Sequence, residues 1–272
     1  MQKQVAALHF ENASAIERGE ALAVEEPLEI RVNGESLTVT MRTPGDDFAL
    51  IAGFLFAESL ISSASDIRFM GCVHSPGAEG AAVDVTMRPG WQPARGEALW
   101  SRSFPVSASC GVCGKDDLRS IACLAEPLTM DGPKVAAEVI YSLPARMREA
   151  QSEFNRTGGL HAAGLFDCSG KLLSLYEDVG RHNAVDKLVG AGVLARNEPL
   201  SNRIMQVSGR LSYELIQKSA MAGIPVVCAV SAPSSLAVEL AESMNITIAG
   251  FVRGQTMNVY TCRQRICGGP ST

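Results

Sequence analysis

Two cysteines, Cys110 and Cys113, stand two residues apart in Ser107-Ala108-Ser109-Cys110-Gly111-Val112-Cys113-Gly114-Lys115. A glycine follows each of them, Pro105 lies shortly before, and no hydrophobic period runs through the segment, which predicts an exposed loop. A thiol acts as nucleophile or metal ligand in its thiolate form, which a cation such as Lys115 favours. As zinc ligands the pair needs two further donors, commonly a second close pair. Cys262 and Cys267 are such a pair but lie far off near the C-terminal end. Thioredoxin-type exchange puts the pair at a helix start directly after a strand, and glycine neighbours without a preceding tryptophan fit that poorly. A sulfur carrier needs a thiolate on an arm that visits a donor, holds a persulfide and delivers it elsewhere. Glycines, with their wide backbone range and no side chain, suit such an arm.

Three other stretches carry residue types suited to binding. In Thr157-Gly158-Gly159-Leu160-His161-Ala162-Ala163-Gly164, two glycines lead into a strand opened by His161, which is either a ligand contact or a satisfied core histidine. The nearest chemical analogy is zinc-dependent deamination, with His-x-Glu and a downstream Pro-Cys-x-x-Cys. Ala163 stands where the acid/base glutamate is needed, and the cysteine pair lies upstream without a preceding proline, so that chemistry lacks its parts. In residues 176–187 a strand ends in Glu177 and Asp178, turns at Gly180, and opens a helix with Arg181, His182 and Asn183. A helix N-terminus at a strand end welcomes phosphate. The competing reading is a solvated charged turn with helical pairing, such as His182 with Asp186. Finally, Ser208-Gly209-Arg210, the loop from Ser231 to Ser235, and Phe251-Val252-Arg253-Gly254-Gln255-Thr256 each follow an expected strand. Small hydroxyl and glycine residues offer N–H and O–H donors, Arg210 and Arg253 offer bidentate charge, and Phe251 can stack on a base. Three such loops at one sheet edge predict a nucleotide-like or dinucleotide-like ligand.

The elements that must position these residues fall into two groups. Residues 1–20 are polar and alanine-rich and are expected to be poorly ordered. Residues 21–130 read as an α+β unit ending in the cysteine loop. Its hairpin turns at Asn33-Gly34 and pairs Ile30 with Leu37 and Leu28 with Val39. A helix is capped by Thr43-Pro44 and runs to about residue 60, followed by strands at 67–73, 82–87 and 99–106 and a short helix at 116–125. In residues 131–272, helices at 134–141 and 144–154 precede a hairpin through Ser169-Gly170. Helices at 183–194, 213–222 and 235–244 then alternate with Val/Ile-rich strands at 204–207, 225–231 and 246–251. This predicts an α/β domain with helices on both faces of its sheet.

The totals narrow the classes. A chain of 272 residues holds one large domain or two modest ones, and 46% hydrophobic with 19% charged residues excludes wholesale disorder. A net charge of −5 argues against a general nucleic-acid binder. The sequence shows no long apolar run and no signal-peptide core, so no membrane association and a cytoplasmic location are expected. The eight cysteines therefore do not suggest a disulfide framework, and Cys168 and Cys228, in apolar runs, are expected to be buried.

Together, Ser-Cys-Gly-Val-Cys-Gly (109–114), Thr-Gly-Gly-Leu-His-Ala-Ala (157–163), Glu-Asp-Val-Gly-Arg-His-Asn-Ala-Val-Asp-Lys (177–187) and Ser-Gly-Arg-Leu-Ser-Tyr-Glu (208–214) resemble the FdhD family of formate dehydrogenase accessory sulfurtransferases. Gly-Phe-Val-Arg-Gly (250–254) and Asn-Val-Tyr-Thr (258–261) agree. The resemblance implies a homodimer. It also implies a C-terminal cytidine-deaminase-like three-layer α/β/α domain, joined by a flexible Cys-x-x-Cys loop to a smaller strand-rich N-terminal domain. On this pattern Cys110, with Cys113 as partner thiol, takes persulfide sulfur from a cysteine desulfurase. The sulfur passes to the molybdenum or tungsten of a bis(molybdopterin guanine dinucleotide) molybdenum-type cofactor, bound as cargo and destined for the formate dehydrogenase catalytic subunit; no permanent metal is implied. Phe251, Val252, Arg253, Gly254, Gln255 and Thr256 match the family's cofactor-binding stretch. Arg181, Arg210 and Arg253 are expected to hold its phosphates, beside His161, His182, Ser208 and Ser231. The rival reading is an insertion chaperone that binds the cofactor without moving sulfur.

Overall fold

The structure, a computed structural model, describes residues 2–12, 14–73, 80–93, 104–105, 125–195 and 200–268. Cys110 and Cys113 lie outside the described residues, as do the expected helix at 116–125, apart from its last residue, and most of the strand expected at 99–106.

Strands β1 (Gln2–Glu11) and β2 (Ser14–Ala23) form an antiparallel hairpin. This corrects the expectation of a poorly ordered start. Alternation is hard to see in so alanine-rich a stretch, yet backbone pairing in unbroken register satisfies the groups that a disordered start would leave to water. Next come β3 (Glu26–Val32), β4 (Glu35–Arg42), α1 (Asp47–Ala57), β5 (Ile67–Val73), β6 (Ala81–Met87) and β7 (Phe104–Pro105), with sheet order β5-β6-β3-β4-β7. Leu28, Ile30, Val32, Val83 and Val85 pack against Leu50, Ile51 and Leu55 of α1.

The β3–β4 turn falls at Asn33-Gly34 as expected, but the register does not. Leu28 faces Thr40, Ile30 faces Thr38 and Arg31 faces Ser36, so a bulge leaves Leu37 as the extra residue. A one-residue slip exchanges the faces of a strand. Thr38, Thr40 and Arg42 therefore turn inward, and Val39 is 49% exposed. Arg42 fixes this choice: its Nε reaches Asp47 at 2.9 Å and its Nη1 reaches Glu26 at 3.3 Å. The expected cap at Thr43-Pro44 is also displaced. Helix α1 begins at Asp47, and Asp46 precedes it in a left-handed conformation, φ 56°.

The remainder comprises β8 (Val135–Ala136), α2 (Ala137–Ala150), α3 (Ser152–Thr157), β9 (His161–Asp167), β10 (Leu172–Asp178), α4 (Arg181–Leu194), β11 (Arg203–Val207), α5 (Tyr213–Met221), β12 (Val226–Ala229), α6 (Ser235–Ser243), β13 (Thr247–Arg253), β14 (Thr256–Val259) and β15 (Ile266–Cys267). The two helices expected at 134–154 divide elsewhere: Pro144 sits inside α2, and the break falls at Gln151. Ser142, inside α2, donates its hydroxyl back to Val139 O at 2.7 Å. A six-stranded sheet runs β10-β9-β11-β12-β13-β14, with β11, β12 and β13 mutually parallel. One face packs on Ile140, Leu143 and Met147 of α2. The other packs on Val185, Leu188, Leu215, Ile216 and Leu240 of α4, α5 and α6. Covered on both sides, all four residues of β12 are fully buried, which explains their unbroken apolar run.

Helices α1 and α4 join the two parts backbone to backbone. A Cβ on Gly53 would lie 2.0 Å from Asp186 O, and one on Gly190 would lie 1.9 Å from Ala49 O. Beside this contact Lys187, 1% exposed, reaches Asp178 Oδ2 at 2.8 Å and donates to Thr43 O at 2.9 Å. Asp178 accepts from the backbone N–H of Thr43 and Gly180 and from Asn183 Nδ2, at 2.9–3.1 Å. Burying two charges is tolerable here because they pair and their remaining donors and acceptors find partners.

Candidate functional site

The sheet topology gathers the expected binding residues at one edge. Strands β10, β11, β12 and β13 end there, and the antiparallel β9 and β14 begin there. His161 opens β9, and Ser208 follows β11. The two are locked: Ala162 N donates to Ser208 Oγ at 2.9 Å, Ser208 N donates to Ala162 O at 3.0 Å, and Ser208 Oγ lies 3.4 Å from His161 Nδ1. Gly209 is wedged between His161 and Arg181; a Cβ there would lie 3.5 Å from His161 Nδ1 and from Arg181 Cδ. Burial and the nearby Arg181 cation hold the His161 pKa below its ordinary value, against the pull of Asp178. The ring is therefore neutral at pH 7. With Ser208 donating to Nδ1, its Nε2–H is the hydrogen-bond donor available to a ligand.

His182, one residue into the same helix, has its own partners. Its Nε2 lies 3.2 Å from Ser212 Oγ and 3.8 Å from Glu214 Oε2. Burial lowers the His182 pKa, opposed by Glu214. Burial alone would raise Glu214, but hydrogen bonds from His182 and Ser212 bring it to about 2. The expected pairing of His182 with Asp186 is absent. Asp186 instead meets Lys218 at 2.5 Å in the interior.

The remaining loops continue along the edge. Leu211 N donates to Ala232 O and Ser234 N to Leu211 O, tying the loop after β11 to the loop after β12. Phe251 N donates to Ser231 O at 3.1 Å, and Arg253 Nε to Val230 O at 2.9 Å. Phe251 has φ 53° and is 39% exposed. A bulky residue in that region is strained unless its surroundings impose it, and such strain clusters at ligand sites. Thr256 Oγ1 donates to Arg253 O across the turn holding Gly254 and Gln255, while Val252 is fully buried core. Arg210 is exposed.

A pocket of about 660 Å³ opens at the β9 end of this edge. Of the expected residues only His161 and Ser208 line it; Arg148, Gln151 and Phe154 form its opposite wall. Arg148 stacks over the Phe154 ring at 4.5 Å. Glu177, within the polar stretch at 176–187, accepts the backbone N–H of Glu153 and Phe154 at 3.0 and 2.8 Å, which anchors the start of α3. Gly158, at φ 65°, ends that helix. Sequence reasoning missed this wall because α2 and α3 read as an ordinary amphipathic stretch. The pairing of Arg148 with Phe154 six residues on, across a helix break, has no periodic signature.

Burial raises the thiols of two cysteines outside the pair, Cys228 and Cys168. Cys228 is fully buried. Cys168, expected to be buried, is only partly so and donates to Asn202 O at 3.4 Å. Among the described residues no cluster of three or more His, Cys, Asp or Glu is placed to hold a metal ion. No described helix is long and apolar enough to cross a membrane.

Fold and edge define a mixed α/β protein whose candidate site is assembled from loops at one end of a largely parallel sheet, with that sheet's part clamped to a strand-rich N-terminal part. Comparison with known proteins narrows this class. The FdhD/NarQ family model matches residues 23–267. A Mycobacterium tuberculosis protein named sulfur carrier protein FdhD is 47% identical over 266 residues, 95% of this chain and 96% of that one. A Saccharolobus solfataricus protein of the same name is 44% identical over 262 residues, covering 95% and 96%. A solved structure, described as a formate dehydrogenase accessory protein from Desulfotalea psychrophila, superposes with TM-score 0.75 at 25% identity, covering 97% of this chain and 99% of that one. The chain belongs to the FdhD/NarQ family.

Proposed function

We propose that this chain is a sulfurtransferase that accepts persulfide sulfur from a cysteine desulfurase on Cys110, with Cys113 as partner thiol. It delivers the sulfur to the molybdenum of a bis(molybdopterin guanine dinucleotide) cofactor destined for the formate dehydrogenase catalytic subunit. The observation that carries the reading is the meeting of His161, Ser208, Arg181, Ser231 and residues 251–256 at one sheet edge, in a chain whose relatives are named sulfur carriers. Strand ends and neighbouring arginines suit a phosphate-bearing dinucleotide. The pocket beside His161 takes one portion of such a substrate, and Arg181, Arg210 and Arg253 take its phosphates. Neutral His161 donates through Nε2–H, and Phe251 stacks on a ring. The protein works in the cytoplasm as a homodimer. Its C-terminal layers are of the cytidine-deaminase kind, and its domains divide near residue 130.

Intact-mass spectrometry after incubation with a cysteine desulfurase and cysteine tests this. A cyanide-labile gain of one sulfur is expected in the native chain, and its loss in Cys110→Ala. Equal sulfur loading of a Cys110→Ala/Cys113→Ala variant refutes the transfer. If that variant also restores formate dehydrogenase activity in cells lacking the native protein, the chain is an insertion chaperone.

A further inference from the structure

Gln151 stands at the break between α2 and α3, closing the first helix and opening the second, with φ −74° and ψ 82°. The side chain of an N-cap residue commonly accepts an N–H of the first turn. That of Gln151 makes no cap bond. The N–H groups of Glu153 and Phe154 are taken by the Glu177 carboxylate of β10 instead. The Gln151 amide is thereby left without a hydrogen-bond partner among the described residues, although the residue is only 3% exposed. Gln151 lines the pocket beside His161, and what little of it solvent reaches opens there. Buried polar groups are rarely left unpaired, because an unmade hydrogen bond costs the full desolvation of the group.

We propose that Gln151 is the specificity-determining residue of this pocket and reads the lactam edge, a ring N–H beside a C=O, of a 2-amino-4-oxopyrimidine ring. The inference rests on the cofactor-binding reading above and says which portion of such a substrate the pocket takes, since guanine and pterin share that ring. An amide side chain offers an acceptor and a donor side by side, so it pairs with N–H and C=O in two parallel bonds. Turned over, the same amide matches an adenine edge, and its neighbours decide between the two. Neutral His161 offers its Nε2–H. Arg148, held over the Phe154 ring and bonded to Asn155, offers donors only. Ser208 Oγ already accepts from Ala162 N, and among the described residues no carboxylate lines the pocket. The wall is therefore rich in donors, with Gln151 Oε1 as its uncommitted side-chain acceptor. A lactam oxygen accepts two hydrogen bonds, one from Gln151 and one from a neighbouring donor, while the ring N–H meets Oε1. The corresponding adenine nitrogen has one lone pair and takes one. Met147, Leu160, Val179 and Val230 make the rest of the lining apolar, as suits a flat ring.

Isothermal titration calorimetry of the full chain with GMP, neopterin and AMP tests this without desulfurase or persulfide. GMP, neopterin or both are expected to bind about tenfold more tightly than AMP, one hydrogen bond's worth. GMP alone assigns the pocket to the guanine, and neopterin alone to the pterin. Gln151→Met, which keeps length and bulk, is expected to weaken that binding roughly 30-fold through two lost hydrogen bonds and to abolish the preference over AMP. The melting temperature of ligand-free Gln151→Met should equal or exceed the native value, since the amide bonds nothing within the protein. AMP binding as tightly as both rings, no binding of either, a preference that survives in Gln151→Met, or a lower melting temperature of that variant overturns the proposal. Sulfur loading of Cys110 is read separately. A chain that loads sulfur yet binds neither ring refutes the pocket assignment alone; one that binds a ring through Gln151 yet takes no sulfur refutes the transferase alone.

Discussion

Replacing Gly190 by alanine tests the backbone contact that joins the two parts of the molecule. Alanine normally stabilises a helix interior by about 1 kcal/mol relative to glycine. At Gly190 the added Cβ would sit 1.9 Å from Ala49 O and 2.4 Å from Gly53 N, whereas ordinary contact begins at 3.4 Å. Relief requires α1 and α4 to separate by about 1.5 Å along a tightly packed seam, and overpacking of that kind costs about 1–3 kcal/mol or more. The clash is with backbone, so no side chain can swing away. The net expectation is a loss of about 2 kcal/mol, a melting temperature lower by about 4–8 °C for a chain of this size. Gly192, two residues on in the same helix, is the control: the nearest atom to its added Cβ is Leu200 Cδ1 at 4.0 Å. Gly192→Ala should therefore gain about 0.5–1 kcal/mol from helix propensity alone. Differential scanning calorimetry of both variants reads the two signs. Shifts in the same direction, or a Gly190→Ala melting temperature equal to native, would refute the close-packing argument.

Two further expectations follow from buried charge. Lys187→Met leaves Asp178 buried without its cation and should cost about 3 kcal/mol in urea denaturation, with partial recovery on adding Asp178→Asn; a neutral single variant contradicts the clamp. Stability should also fall in acid. Burial alone would raise Glu214 and Asp66, but hydrogen bonds win and hold both at about 2, below ordinary values of 4.5 and 3.8. Their stabilisation is present above about pH 4.5 and is lost as pH falls toward 2, on the order of 3 kcal/mol for Glu214. Asp186 acts with opposite sign: burial raises it to about 6, so its contribution is full below 3.8 and fades as pH rises through 6. Urea midpoints between pH 7 and 2.5 should show the acid slope, and Glu214→Gln should flatten it; an unchanged slope refutes the assignment.

Much of the C-terminal part was legible because each strand is buried on both faces and its residues say so. Residues 226–229 read Val-Val-Cys-Ala, and only a covered strand tolerates that run. The edge loops were legible for a related reason: serine, glycine and arginine after such strands have few structural uses. Segment 177–187 shows the limit. Its density of polar residues suggested a ligand site, yet Asp178, Asn183 and Lys187 bind the backbone at Met41 and Thr43, more than 130 residues away in sequence. Glu177 anchors α3, and Arg181 and Asp178 lie near His161. Clamp and site draw on the same residue types, and partners so distant leave no local pattern. The β4 register was hidden for a similar reason: Leu37, Val39 and Met41 alternate convincingly, and only the ion pairs of Arg42 reveal which face is buried.

The position of the clamp gives segment 177–187 a mechanical meaning beyond stability. The chain on one side of Cys110 and Cys113 is held at Pro105, paired with Val39 on the N-terminal sheet. On the other side Ala125 and Leu128 pack against the helical face of the C-terminal sheet, and Leu128 N donates to Met244 O. Each end of the cysteine segment is thus fixed to a different sheet. Thr43, directly after β4, is gripped by Asp178 and Lys187, and α1 is pressed onto α4 by Gly53 and Gly190. Helix α4 begins with Arg181, beside His161 and the pocket. The same contacts therefore set the distance between the two anchor points of the thiol segment and fix both relative to the ligand edge. The two parts of the molecule are thereby held in one frame with that edge by two glycines in backbone contact and a buried Lys–Asp pair.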